Sequence, residues 1–288
     1  MTEILASAVM TLRKMSGQGM MDCKKALSEA DGDVDLAMEA LRKKGVATLE
    51  KRSDRETSNG LVVSRTSDDG KVGVLASLCC ETDFVARSEG FVATAHLLLD
   101  YGMACEAQGG VENLLATEVD ARDYREVFTE CVSKTGEKME VGGFAKFGLV
   151  GSGCISHYVH FNGKIGAMVL VEASDDSVGG SEALQAVAND VAMHITATKP
   201  LALDKGGIDG ETVEKEKAIY AEQVKNKPAN LIDKIIEGKL AKFYAEHCLL
   251  QQPFVKDDSK TIEQVVTDAA KQAGGTAKIS RFVRLEIG

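Results

Sequence analysis

The sequence contains no tryptophan, and aromatic residues make up only 5% of it. That leaves little material for a surface on which nucleobases stack. A basic surface is lacking as well: 34 Lys and Arg stand against 44 Asp and Glu, a formal net charge of −10. Direct nucleic-acid binding needs concentrated positive charge and is not expected. The apolar runs fall far short of a membrane span, so no membrane association is expected either. Residues 1–15 do not read as a signal peptide. Glu3 sits where positive charge belongs, and no apolar block precedes a small-residue cleavage site. They are also not Arg-rich and acid-free, as an organelle transit peptide is, and a cytoplasmic location is expected. The seven cysteines are an odd number with no C-x-x-C pair, and Cys79 and Cys80 are adjacent. This fits reduced, mostly buried thiols better than a disulfide framework or a zinc site.

The motifs of covalent and phosphate chemistry are missing too. A phosphate-binding loop needs a hydroxyl after its Gly-Lys, to reach magnesium. Lys71, Lys164 and Lys239 each follow Gly, but Val72, Ile165 and Leu240 come next. Gly151-Ser152-Gly153 begins like a dinucleotide fingerprint, yet Ser156 stands where the third Gly belongs. There is no H-E-x-x-H, no G-x-S-x-G, and no Ser, Cys or His constellation that suggests a nucleophile. No cofactor, no metal and no enzymatic activity are expected.

What remains is an ordinary packed protein. Hydrophobic residues are 44% and charged residues 27% of 288, enough for two domains, or three if one is small. Residues 2–45 read as three short helices. Leu5, Val9 and Leu12 share one helical face, Gly17 and Gly19 punctuate, a second segment runs from Met20 to Ala30, and Asp33 can cap a third carrying Leu36, Ala37, Ala40 and Leu41 that stops at Gly45. Residues 46–59 are polar and charged with little periodicity after Leu49. They read as a linker, helical at most at its start.

The rest carries an internal repeat. Asp69-Gly70-Lys71-Val72-Gly73-Val74-Leu75 matches Asn162-Gly163-Lys164-Ile165-Gly166-Ala167-Met168, 93 residues later, and Ser88-Glu89-Gly90-Phe91 falls on Ser181-Glu182-Ala183-Leu184 at the same offset. Each copy has two strand-like runs around an Asp-Gly or Asn-Gly turn, then an amphipathic helix, near 88–103 and 181–197. The fold class is therefore α+β. The expected division is a three-helix domain over 1–50, a linker over 51–59, one core subdomain over 60–142 and a second over 143–288. Helical segments around 111–117 and 120–136 belong to the first. The second carries an insertion near 211–247, a helical hairpin. Val213, Tyr220 and Val224 share a face, Asn226-Lys227-Pro228 forms the turn, and Leu231, Ile232, Ile235, Ile236, Leu240 and Phe243 make an apolar stripe. A helix near 261–273 and a strand from Ala277 to Ile287 complete the second sheet.

Thr82-Asp83-Phe84-Val85-Ala86 lies where the first hairpin joins its helix. Asp83 could cap that helix, and Phe84 alone would read as core. The repeat shifts that weighing, because it places Ser177 opposite Phe84. An aromatic that the sister copy dispenses with is less a fold requirement than an anchor for a partner's pocket.

Leu12-Arg13, Gly19 through Leu27 (GMMDCKKAL), Thr82 through Ala86, His194-Ile195 with Lys199-Pro200, and Glu237-Gly238-Lys239 through Gln252-Pro253-Phe254-Val255 together resemble the elongation factor Ts family, in order and over nearly the whole chain. The resemblance implies a ubiquitin-associated-like three-helix domain, two core subdomains and a helical hairpin. It implies a guanine nucleotide exchange factor for translation elongation that binds elongation factor Tu, both GDP-bound and nucleotide-free. Asp83 and Phe84 would enter the GTPase domain of Tu, with Phe84 wedged between helices beside the magnesium site. Arg13, Met20 and Met21 would touch the same domain, and the second subdomain, including His160, would grip another. Thr82, Val85 and Val255 carry over as partner-binding positions.

Read from the residues alone, these positions are plainer. Arg13 is a solvated charge. Met20 and Met21 are adjacent on a helix and cannot share a face, so one is expected in the core and one at a contact. His160, beside the Asn-Gly turn, is expected to be exposed. The helical hairpin leaves three roles open: an internal brace, a homodimer contact, or a contact with Tu. A three-helix module alone would also suit a binder of ubiquitin-like domains, but that leaves the repeat and the Thr82–Ala86 junction without an explanation.

Overall fold

The computed structural model describes residues 4–225 and 227–288. Three helices come first: α1 (Ala6–Ser16), α2 (Met20–Glu29) and α3 (Val34–Lys51). Gly17 ends α1 with a left-handed φ of 65°, and its N–H bonds to Arg13 O. Asp33 caps α3 by accepting from the N–H groups of Asp35 and Leu36. Val9, Leu12, Cys23, Ala26, Leu27, Ala37 and Leu41 fill the small core between them. Leu5 and Leu36, expected on the apolar faces, are exposed.

The third helix does not stop at Gly45; it continues through it to Lys51. Gly45 is there for close approach. A Cβ on it would lie 2.4 Å from Thr129 O, on the helix Tyr124–Thr135. The stretch expected to be a linker is thus partly helix.

The first repeat contains β1 (Asn59–Thr66), β2 (Val72–Cys80), α4 (Asp83–Ala86), α5 (Glu89–Ala104), α6 (Val111–Leu115), β3 (Glu118–Val119), β4 (Arg122–Asp123), α7 (Tyr124–Thr135) and β5 (Met139–Gly148). Its antiparallel sheet has the order β1-β2-β5. β5 closes on β2 and runs to Gly148, so the expected division at 142/143 falls inside a strand. The helix expected from about 120 begins at Tyr124 instead. Asp120 and Ala121, at φ 52° and 60°, turn the tight β3–β4 hairpin, and Asp123 then caps α7.

The second repeat contains β6 (Gly153–Val159), β7 (Ile165–Ala173), α8 (Asp176–Gly179), α9 (Glu182–Thr198), α10 (Gly210–Val224), α11 (Ala229–His247), β8 (Pro253–Phe254), β9 (Asp257–Thr261), α12 (Ile262–Gln272) and β10 (Ala277–Glu286). Its sheet has the order β10-β7-β6, all antiparallel. The helical hairpin is α10 with α11. Of its expected turn, Asn226 lies outside the described residues. Among the described residues no helix is long and apolar enough to cross a membrane.

The two sheets pack face to face. Val62, Leu75 and Phe147 of the first meet Ile155, Met168, Leu170 and Ile287 of the second. Helix α5 covers the outer face of the first sheet, with α7 packed against α5, and α9 and α12 cover that of the second. Along β2, Val74 and Ala76 point to the helices while Leu75 points to the other sheet, the two-residue period of a strand buried on both faces. The repeat is a pseudo-twofold. A Cβ on Gly73 would strike Ile155 and Met168; one on Gly166 would strike Val62 and Leu75. Each contact maps onto the other at the 93-residue offset. Ser64 Oγ and His157 Nδ1, themselves sister positions, meet at 2.8 Å on the pseudo-axis.

Candidate functional site: an exposed aromatic turn on the first subdomain

Thr82 leaves the end of β2 in extended conformation, and its Oγ1 accepts from the Val85 N–H at 3.3 Å. Thr82 is therefore the cap of α4, and Asp83, the residue expected in that role, occupies the first helical position. There the Asp83 carboxylate faces the helix N-terminus and pairs with Arg87 at 3.3 Å, both exposed. Phe84 follows with 84% of its surface exposed. Val85 is half-buried against the first subdomain's core, and Ala86 is buried in it. The turn is thus anchored by Val85 and Ala86 and capped by Thr82, while the largest side chain on it faces solvent.

The base of this turn is held from two sides. Glu137, just past the end of α7, accepts from Thr82 N–H at 3.1 Å and from Thr82 Oγ1 at 2.6 Å. Glu81 accepts from Arg52 Nη1 and Arg55 Nη1, each at 2.7 Å, and from Lys138 N–H at 2.6 Å. Burial pushes the Glu81 carboxyl up, but the Lys138 N–H and the two guanidiniums outweigh it and hold the group down at about 2. Sequence reasoning missed Glu81, Arg52, Arg55 and Glu137, because a charged stretch reads as a solvated one.

Arg13, Met20 and Met21 belong to the three-helix unit, and all three are exposed. The expectation that one methionine is core does not hold: Met20 is 52% and Met21 76% exposed, because Cys23, Ala26 and Leu27 supply the inner face of α2. The loop between α1 and α2 sits at the C-terminal end of α7. A Cβ on Gly17 would lie 2.9 Å from Lys134 Cε, and buried Gln18, with its amide oriented to satisfy its neighbours, donates to Ser133 O at 3.2 Å. Ser133 Oγ in turn donates to Leu41 O at 2.9 Å. The last turn of α7 therefore supports the α1–α2 loop, and the residues just beyond it support the Phe84 turn.

His160 and Val255 lie on the second subdomain. His160 begins the β6–β7 turn and is half-buried rather than exposed, with its ring 4.3 Å from that of Phe161 and its Nδ1 3.3 Å from Tyr158 Oη. Phe161 is 91% exposed and was overlooked in the sequence. The signal was available: the offset that sets Ser177 against Phe84 sets Asp68 against Phe161. This turn packs beside the first subdomain. Lys164 Nζ donates to Ser58 O at 3.2 Å and to Asn59 Oδ1 at 3.0 Å, and Asn59 Nδ2 donates to Glu81 O at 3.0 Å. Val255 is 51% exposed, and its N–H donates to His194 Nδ1 at 3.3 Å. His194 is fully buried and its Nε2 lies 2.8 Å from Gln252 Oε1, so the tautomer with its proton on Nε2 satisfies both bonds. Burial pulls its pKa below the ordinary value, against an opposing push from Gln252.

The seven cysteines are buried and unpaired. Burial, reinforced by Glu140, pushes Cys79 up to about 11, and burial with Glu137 pushes Cys80 up to about 12. Both are thiols at neutral pH, packed into cores rather than poised for nucleophilic attack.

Residues 81–288 match the family model described as elongation factor TS. The chain is 45% identical over 287 residues to an elongation factor Ts of Nitratiruptor sp., covering 99% of this chain and 93% of that protein. It is 43% identical over 288 residues to one of Clostridium botulinum, with the same coverage, and 40% identical over 294 residues to one of Desulfovibrio desulfuricans, covering 100% and 99%. With a family model matched over most of its length and such relatives along all of it, the chain belongs to the elongation factor Ts family.

Proposed function

We propose that this protein promotes the release of GDP from elongation factor Tu during translation elongation, in the cytoplasm, and that Phe84 is the residue that opens the nucleotide site. The observation that carries the reading is Phe84 itself: 84% exposed on a capped, anchored turn, with a serine at the sister position of the same fold. Burying such a ring in a partner's pocket is worth about 1.5–3 kcal/mol. That free energy becomes useful for exchange if the pocket exists only when the helices beside the magnesium site have moved apart. Family membership and the exposed ring support this route. It involves no covalent step, so the protein is not an enzyme in the sense of bond chemistry. Arg13, Met20 and Met21 would extend the contact on the GTPase domain, while His160 and Val255 would reach elsewhere on Tu.

Linkage then fixes the thermodynamics. A factor that weakens GDP binding to Tu must bind GDP-loaded Tu more weakly than empty Tu, by the same ratio. A tight nucleotide-free complex, dispersed by GDP with magnesium, is expected. The test is release of a fluorescent GDP analogue from elongation factor Tu, alongside the affinity of the protein for loaded and empty Tu. Equal affinities with no acceleration would overturn the reading.

A further inference from the structure

The segment leaving α3 toward β1 is bound along its length. Arg52 and Arg55 both reach Glu81, whose side chain is only 13% exposed. Lys138 Nζ returns the grip, donating to Ser53 O and Arg55 O at 2.7 Å each. Thr57 Oγ1 bonds the Glu140 carboxylate. Asn59 Nδ2 closes on Glu81 O at 3.0 Å. All of these bonds end on residues 81, 138 and 140, at the β2–β5 corner from which the Phe84 turn springs.

The sister corner shows how much of this the fold needs. Glu81 corresponds to Ser174 at the 93-residue offset, and Lys138 to Thr276, each one position outside the strand pairs Cys80 with Met139 and Ala173 with Ala277. There the Thr276 N–H donates to Ser174 Oγ at 3.2 Å, and Ser174 Oγ donates to Asp175 Oδ2 at 2.9 Å. A backbone bond from Ser174 N–H to Thr276 O at 2.8 Å and one hydroxyl close the corner. The first copy closes it with a carboxylate that engages the same N–H and also two guanidiniums from outside the repeat. Closing the sheet does not account for those two.

We propose that Arg52 and Arg55 are positioning residues for the Phe84 turn, acting through Glu81, so that the segment after α3 is a brace and not a tether. The proposal rests on the exchange reading above. It also gives the three-helix unit a role beyond its own contacts. With α3 packed on α7 through Gly45, and with Arg42 paired to Glu126 at 3.4 Å and Glu130 at 3.6 Å, the brace ties that unit and the turn into one body. Phe84 then meets a partner without first being ordered, which is where a misplacement of an ångström is costly.

The test is the double variant Arg52→Gln/Arg55→Gln in the full chain, assayed for GDP release from elongation factor Tu over a range of its concentration. The maximal release rate should fall about tenfold while the half-saturating concentration stays within about twofold, because orientation is lost and contact surface is not. Amide exchange at residues 82–87 should rise, with the core's unfolding midpoint close to wild type. Arg52→Lys/Arg55→Lys should recover part of the rate, since charge returns without the planar fork. Glu81→Gln, which keeps the side chain's shape, serves as the second variant if the double substitution fails to fold. It should show the same loss of maximal rate. An unchanged maximal rate in whichever variant folds, while the wild type accelerates release, refutes the brace alone. Absence of acceleration by the wild type refutes the exchange reading instead. Loss of stability with full activity per folded molecule would make the cluster structural and overturn the proposal.

Discussion

Thr82 and Asp175 are sister caps, and each is followed by an aspartate at the first helical position; then one copy has Phe84 and the other Ser177. The same pairing runs through the molecule. Gly60 and Gly153, at φ 148° and 150°, both sit where a Cβ would run into a carbonyl of the neighbouring strand, 2.0 Å and 2.1 Å away. Ser88 and Ser181 cap the long helices of the two copies. The halves agree where backbone approaches backbone, since any side chain there would force the sheets or turns apart. They differ at two exposed turn positions, Phe84 against Ser177 and Phe161 against Asp68, and at a largely buried one, Glu81 with its two arginines against Ser174. Buried sister positions differ as well, as Phe91 and Leu184 do, so a difference marks a candidate for what a partner would demand only where the side chain is exposed.

The largest expected effect tests that criterion at its centre. Phe84→Ala should lower GDP release from elongation factor Tu roughly ten- to hundredfold, the equivalent of about 1.5–3 kcal/mol for a ring no longer buried in the partner. Its stability should stay within about 0.5 kcal/mol of wild type, because the ring makes few internal contacts. Phe91, fully buried in the same subdomain, is the contrast: Phe91→Ala should cost about 3–5 kcal/mol of stability. A denaturation curve and a release rate for each variant decide it. Early unfolding of Phe84→Ala with full activity per folded molecule would place Phe84 among the structural residues and break the comparison.

The agreeing positions make the next test. Gly73→Ala would put a methyl 2.6 Å from Ile155 Cγ2 and 2.7 Å from Met168 Sδ; at Gly166 the nearest atoms are Val62 Cγ1 at 2.8 Å and Val159 Cγ2 at 3.2 Å. Overpacking of this kind costs about 1–3 kcal/mol, offset in part by the strand preference of Ala over Gly. Gly73→Ala should therefore be destabilising, and Gly166→Ala less so, in denaturant titrations. If Gly73→Ala proved as stable as wild type, the spacing between the sheets would be elastic, and the pseudo-twofold contact would not be what fixes glycine there.

Much of this was legible because it was local. The turns at Asp69-Gly70 and Asn162-Gly163, the helices after Ser88 and Ser181, and the apolar stripe of the inserted hairpin all follow from short-range periodicity and turn chemistry. What was misread depended on a partner far along the chain. Gly45 looks like a helix stop, and only the arrival of Thr129 shows that it is a contact surface. β5 pairs with a strand some sixty residues earlier, so nothing near residue 142 announces that the first sheet continues. Met20 and Met21 were split between core and surface because adjacent helical positions diverge, but Cys23, Ala26 and Leu27 already fill the inner face. Arg52 and Arg55 looked like solvated charge because their partner, Glu81, lies across a hairpin. Asp83 and Thr82 are both competent caps by composition, and the backbone geometry at Thr82 decides between them.

Phe161 gives the smallest expected effect, at an exposed position where the two repeats differ and to which the family resemblance assigns no role. Its ring is 91% exposed at the tip of the β6–β7 hairpin, resting on His160, where the first copy carries Asp68. The bonds from Lys164 to Asn59 and from Asn59 to Glu81 put this tip beside the corner that holds the Phe84 turn. A partner that is seated on Phe84 and also spans this corner would meet Phe161 as a second aromatic. Phe161 differs from Phe84 in what its loss should change. It sits on a hairpin whose backbone is fixed by His160 N–H to Ile165 O at 2.8 Å and Gly163 N–H to His160 O at 2.8 Å, not on the turn proposed to open the nucleotide site. Its contribution should be the same before and after GDP leaves, which is uniform binding. Phe161→Asp, the sister residue, should raise the half-saturating concentration in the GDP-release assay about three- to tenfold, up to about 1.4 kcal/mol, with the maximal rate unchanged. Stability should move by no more than about 0.5 kcal/mol. Phe84→Ala should do the reverse, lowering the maximal rate most. An unchanged half-saturating concentration for Phe161→Asp would show that the partner does not reach the hairpin tip, and that an exposed aromatic at a sister-mismatched position is not by itself an anchor.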